Sequence, residues 1–255
     1  MSEVEVAQLP DRYANAALIA KNAGFTGVQI HAGHVFLLSQ FLSPLFNRRE
    51  DQYGGSIEAR CSIIVDIIAK VRSIVGDSFP IGLKINSSDQ LEGGLTPDDA
   101  LAAICILDKT SIDLIEISGG CYFSGAKSSS DSTQNGPYFI KFTQKARELT
   151  NIPLIVTGGF KTCKQALDTL TSNAVDMIGL GRALALDPLL AKKGLTGTGN
   201  ALDFSRFKAL PQDGITAWYT MLLIALGNDS EDDFNLDLIS AIRLYEQRDI
   251  ARCVK

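Results

Sequence analysis

Five largely apolar runs, "GVQIHA", "PIGLKINS", "IDLIEISGG", "IPLIVTGG" and "VDMIGLGR", alternate along the chain with helical stretches. A strand that is apolar on both faces must be covered on both. The amphipathic segments between the runs supply that cover, so the pattern specifies a parallel sheet flanked by helices. The helices carry their own punctuation. "DRYANAALIAKNAG" stops at Gly24, Ser56 opens "SIEARCSIIVDIIAKVRSIVG", and Thr96-Pro97 followed by two acids opens "TPDDALAAICILDK". Glycine after a helix, serine or threonine before one, and proline in the first turn are the residues those positions favour. "PYFIKFTQKARELT" and "CKQALDTLTS" complete the series.

Several runs end in glycine or a small polar residue: Ser118-Gly119-Gly120, Gly158-Gly159, Gly179 and Gly181. In a (β/α) barrel the active site lies at these C-terminal strand ends, and phosphate often binds after the last two strands. A doubly wound sheet would place one glycine-rich turn early, and "GLGRAL" lacks the G-x-G-x-x-G spacing. The expected fold class is therefore α/β, of the (β/α)8 TIM-barrel type. A closed barrel has eight strands, whereas the chain shows five and opens on a helix, so the first three βα units are expected to be lacking. Residues 1–195 would form the partial barrel. Residues 196–255, with "GITAWYTMLLIALG" and "DFNLDLISAIRLYEQ", would form a C-terminal helical segment. Five strands leave two unpaired edges, which invites association, so a homo-oligomer is expected.

Composition excludes some partners. With a net charge of −5 over 255 residues, the chain has no basic footprint for nucleic acid or an anionic membrane surface. "MLLIAL" is too short to span a bilayer, and "MSEVEVAQLPDRY" has no apolar leader core. The five cysteines form no C-x-x-C pair, and their odd number suits a reducing compartment. A cytoplasmic protein is the expectation.

The only two histidines, His31 and His34, close the first apolar run. Zinc takes three or four ligands and no third is evident nearby, so no metal is expected. Imidazoles can instead donate hydrogen bonds to a carbonyl or phenolate oxygen, or be purely structural. Lys84 interrupts the second run, and a lysine there requires an anionic partner. That partner is either Glu116 on the next run or a bound ligand. Gly158-Gly159 and Gly181-Arg182 end the last two runs. Glycines admit backbone N–H groups close to a phosphate, and arginine adds a two-pronged donor. The charged loop "NRREDQYGGS" reads as a folded loop held by ion pairs of Arg48 and Arg49.

The segment "AGFTGVQIHAGHVFLLSQFLSPLFNRREDQYGGSIEAR" resembles the signature region of Old Yellow Enzyme-type NADH:flavin oxidoreductases. "IGLKINSSDQLEGGLTPDDAL", "LIEISGG", "VTGGFKT" and "IGLGRALALDP" resemble the segments that follow it, in order. The resemblance implies an FMN-containing (β/α)8 barrel that takes hydride from NAD(P)H and passes it to an activated alkene such as an enone, a small α,β-unsaturated carbonyl substrate. It implies that His31 and His34 bind the substrate carbonyl. Lys84 would sit beside flavin N1 and O2, and Gly158, Gly159, Gly181 and Arg182 would hold the FMN phosphate. Phe36 stands where the family has the tyrosine that protonates the substrate. Two functions follow as expectations: an ene-reductase-like enzyme from a truncated barrel, or an impaired flavin-barrel remnant that acts by binding or by pairing with another chain. An aldolase-like barrel using Lys84 as a Schiff base fits the histidine segment poorly.

Overall fold

The computed structural model describes residues 1–121, 136–197 and 214–253. The chain divides into two compact units. The first contains described residues 1–121, 136–159 and 164–179, and the second contains 160–163, 180–197 and 214–253.

The first unit opens with α1 (Glu3–Ala7) and α2 (Leu9–Asn22), followed by β1 (Val28–Ala32), α3 (Leu37–Leu42) and α4 (Ile57–Val75). Next come β2 (Ile81–Asn86), α5 (Pro97–Leu107), β3 (Leu114–Ser118) and α6 (Ile140–Arg147), then β4 (Leu154–Thr157), α7 (Cys163–Thr171) and β5 (Met177–Gly179). All five expected strands form. They make one parallel sheet in the order β1-β2-β3-β4-β5, each strand pairing with its sequence neighbour. Sequential strands that pair in parallel need a crossover between them, and the intervening helices provide it. The core is aliphatic: Ile81, Leu83, Ile85, Ile115, Ile117, Leu154 and Val156 are all fully buried in the strands.

The helix boundaries follow their caps. Ser56 accepts from the Ala59 N–H, and Thr96 forms a reciprocal capping box with Asp99 ahead of Pro97. Gly24, at φ 87°, ends α2 with the Phe25 N–H bonded back to Ala20 O. One element escaped the sequence pattern. "LLSQFL" lies inside what reads as a long polar loop, yet it forms α3 and buries Leu38, Phe41 and Leu42. Arg60 explains how that loop folds. Its guanidinium is buried and donates to Gly55 O, Leu42 O and Asp99 Oδ1, joining the end of α3 to the starts of α4 and α5. Asn47 adds two bonds of 2.7 Å, to Phe41 O and Tyr53 O. Arg49 pairs with Asp51 as expected, and Arg48 is exposed.

In the second unit α8 (Arg182–Leu186), α9 (Leu190–Leu195), α10 (Gly214–Gly227) and α11 (Leu238–Cys253) follow one another, and Trp218, Tyr219, Leu222 and Leu238 form the core between the last two. The Trp218 indole N–H donates to Leu236 O at 2.8 Å. Among the described residues no helix is long and apolar enough to cross a membrane.

Candidate active site

The register of β1, β2 and β3 puts His31 opposite Lys84 and Lys84 opposite Glu116. Paired residues on adjacent parallel strands point to the same face, so the three form one polar row across an apolar sheet. Lys84 Nζ donates to Glu116 Oε1 at 2.8 Å, with side chains only 19% and 12% exposed. Burial pushes the Glu116 carboxyl up. The hydrogen bond and charge of Lys84 outweigh it and hold the carboxyl below the usual range. The carboxylate partner for Lys84 thus exists within the protein.

Beyond β1 the chain turns through two left-handed residues, His34 at φ 59° and Val35 at φ 61°. That conformation costs about 1–2 kcal/mol per non-glycine residue, and valine is β-branched. Several contacts hold the turn. Asn86 Oδ1 accepts from the His34 N–H at 2.9 Å, Gln40 Nε2 donates to Val35 O at 2.8 Å, and the Val35 side chain is buried. Fully buried Asn86 also donates to Asp89 Oδ1 and Gly120 O, tying together the loops after β1, β2 and β3. The turn presents the His34 ring edge-on to that of His31, with centroids 5.3 Å apart, and its Nε2 lies 2.9 Å from Ser118 Oγ at the end of β3. Phe36 stacks obliquely on His31 at 5.0 Å. Sequence reasoning marked Ser118 among the strand-ending residues but missed Asn86, a small polar residue near the end of its own apolar run.

Burial, then the positive charge of Lys84, lowers both imidazoles below their ordinary range, with Glu116 opposing. His34 falls to about 4. Both rings are therefore neutral at pH 7, each with one N–H donor and one acceptor nitrogen. His31 Nδ1 is buried with no hydrogen-bond partner among the described residues. A buried orphan of this kind fits a polar group supplied by a ligand.

The His34 shift predicts acid sensitivity. Free imidazole titrates near 6.5 and folded His34 near 4, so the unfolded chain takes up the proton first as pH falls. The stabilisation is complete above about pH 6.5 and is lost as pH drops towards 4. It should amount to about 1–3 kcal/mol after allowance for partial solvation. Urea unfolding of wild type and His34→Gln at pH 7.5 and pH 4.5 measures it. The stability gap between them should shrink in acid, and a gap independent of pH would show that His34 is not held neutral.

The remaining expected site residues fall in separate units. Gly158 (φ 126°) and Gly159 (φ 83°) follow β4 in the first unit. A Cβ on Gly159 would lie 2.5 Å from Gly136 O, so only glycine fits this cradle. Gly181 and Arg182 open α8 in the second unit, where a Cβ on Gly181 would meet nothing within 4 Å. There the Arg182 guanidinium lies over the Tyr219 ring at 5.5 Å.

A parallel α/β sheet with a buried lysine–carboxylate pair across its strands and two neutral imidazoles at the end of its first strand is the architecture of an α/β barrel-type enzyme. More specifically, the chain belongs to the NADH:flavin oxidoreductase / NADH oxidase family, whose model matches residues 1–198. The family is one of FMN-dependent oxidoreductases with NAD(P)H as reductant. The NADH-dependent flavin oxidoreductase iliE of Hypocrea jecorina (strain QM6a) is 37% identical over 203 residues, covering 74% of this chain and 50% of that protein. Among solved structures, 2-naphthoyl-CoA reductase in complex with 2-naphthoyl-CoA matches with TM-score 0.73 and 26% identity, over 77% of this chain and 30% of that one. Morphinone reductase in complex with tetrahydroNAD matches with TM-score 0.63 and 27% identity, over 80% and 52%. The chain spans between 26% and 55% of the length of the curated relatives it matches.

Proposed function

We propose that this chain binds FMN and reduces an activated alkene of the enone class with NAD(P)H. The observation that carries the reading is the pair of neutral imidazoles, one with an orphaned buried nitrogen, beside Lys84 and Glu116. When bound, FMN supplies hydride transfer from NAD(P)H to the alkene. The protein's own part is electrostatic. His31 and His34 donate hydrogen bonds to the substrate carbonyl oxygen as negative charge develops there, a role that suits neutral rings. Lys84 offers a cation on the same face, already oriented by Glu116. By resemblance, the backbone at Gly158 and Gly159 in the first unit and Gly181 with Arg182 in the second are each assigned to the FMN phosphate. A morphinone reductase and a 2-naphthoyl-CoA reductase among the structural relatives support a conjugated substrate.

The direct test is to purify the protein, titrate it with FMN by fluorescence quenching, and follow anaerobic NADH or NADPH oxidation with cyclohexenone. Saturable FMN binding with enone-dependent oxidation supports the proposal. Folded protein that takes up no FMN would instead favour a flavin-barrel remnant acting by binding alone, a reading to which Phe36 lends weight. At the phosphate end, Arg182→Ala should weaken FMN binding by about 1.5–3 kcal/mol, the scale of a charge-assisted hydrogen bond. Equal affinity for both proteins would remove Arg182 from the site.

A further inference from the structure

A cleft of about 530 Å³ lies in the first unit where the segment after β2 faces α6. Its size falls within the range of about 300–1,000 Å³ typical of small-molecule sites. α6 lines it with Lys141, Phe142 and Lys145, with Tyr138 just ahead of the helix. Ser87 and Ser88 contribute hydroxyls from the opposite side. Lys141 and Lys145 are one helical turn apart and exposed, and among the described residues no carboxylate lines the cleft. Two ammonium groups without a lining acid are notable in a chain of net charge −5, and half-buried Tyr138 and Phe142 give the same cleft aromatic surface. Cations beside aromatic faces suit a flat ring bearing phosphate.

The cleft also adjoins the histidine site. Ser87 directly follows Asn86, which holds the His34 turn, and the Ser87 N–H donates to Ser118 O at 2.7 Å, on the residue whose hydroxyl meets His34. We propose that this cleft binds the adenosine diphosphate end of the NAD(P)H reductant, with Lys141 and Lys145 on its phosphates and Tyr138 and Phe142 against its base. This rests on the functional reading above, since the nicotinamide end must then reach the face that carries His31 and His34.

The test uses ADP, which carries no nicotinamide, in titration calorimetry on the purified chain with and without FMN. ADP should bind in both states and adenosine far more weakly. The exchange Lys141→Glu/Lys145→Glu should weaken both ADP and NADH binding about 10–100-fold, leaving the melting temperature and FMN affinity unchanged. The charge-neutral pair Lys141→Met/Lys145→Met should lie between. Coenzyme A bears the same adenosine diphosphate group, so displacement of ADP by coenzyme A but not by NADH would overturn the assignment to the reductant. NADH affinity unaltered in both variants would overturn the site. If ADP binds but FMN does not, the cleft stands and the proposed oxidoreductase function falls.

Discussion

Glu116→Leu is expected to destabilise the protein by about 2–4 kcal/mol, and Lys84→Met by a similar amount, while the double variant Lys84→Met/Glu116→Leu should lie within about 1 kcal/mol of wild type. The two side chains are 12% and 19% exposed and are joined at 2.8 Å. Removing either partner strands a charge beside strand residues such as Leu83, Ile85 and Ile117, which are fully buried. Breaking a fully buried pair costs about 3–5 kcal/mol, whereas replacing both members with apolar groups of similar size is often neutral or stabilising. Residual exposure moves the single-variant value to the lower part of that range. Denaturant melts of the four proteins form a double-mutant cycle and measure the coupling directly. The cycle also bears on function. A double variant as stable as wild type but unable to take up FMN would show that the pair is kept for the ligand. Undiminished FMN binding would leave Lys84 a structural residue. Independent effects in the cycle would mean that the ion pair does not form in solution.

The positions of all five strands were legible in the sequence because each apolar run is bounded by helix and turn signals. The caps at Ser56 and Thr96 were legible for a similar reason, since capping is a local interaction. The helix "LLSQFL" was not, because six residues are too short to display a helical period and it is held by Arg60 and Asn47, which bond its carbonyls Leu42 O and Phe41 O from outside the helix. The site divides along the same line. His31, His34 and Lys84 stood out by rarity or by interrupting an apolar run, and Glu116 was one of two readings for the lysine's partner. What placed His31, Lys84 and Glu116 in one row is strand register, a property of pairing that no single strand encodes. The left-handed turn at His34 and Val35 was likewise hidden. Histidine takes a positive φ only occasionally and valine rarely, and the group that holds the turn, Asn86, is 52 residues away.

Phe36→Tyr should accelerate enone reduction by the FMN-loaded protein by about 10²–10⁴-fold, the usual worth of a positioned general acid. Phe36 begins the turn into α3 and its ring lies 5.0 Å from His31, so position 36 faces the imidazole pair. If His31 and His34 hold the carbonyl, uptake of hydride at the β-carbon leaves an enolate whose α-carbon must gain a proton. A phenyl ring has none to give. At 43% exposure the residue leaves water within reach as the substitute donor, which is slower because it is not positioned. A tyrosine would carry a hydroxyl in the same direction, with a pKa near 10 that keeps it protonated at neutral pH. The rate of NAD(P)H consumption with oxygen as acceptor needs no carbon protonation, so it should change little between the two proteins. That contrast separates proton delivery from a general improvement in folding or FMN content. Stopped-flow traces with cyclohexenone, compared with oxygen at matched flavin occupancy, read both rates. Equal enone rates would show that position 36 does not reach the α-carbon. Acceleration of both reactions alike would show that the tyrosine acts on the cofactor or on the fold rather than as an acid.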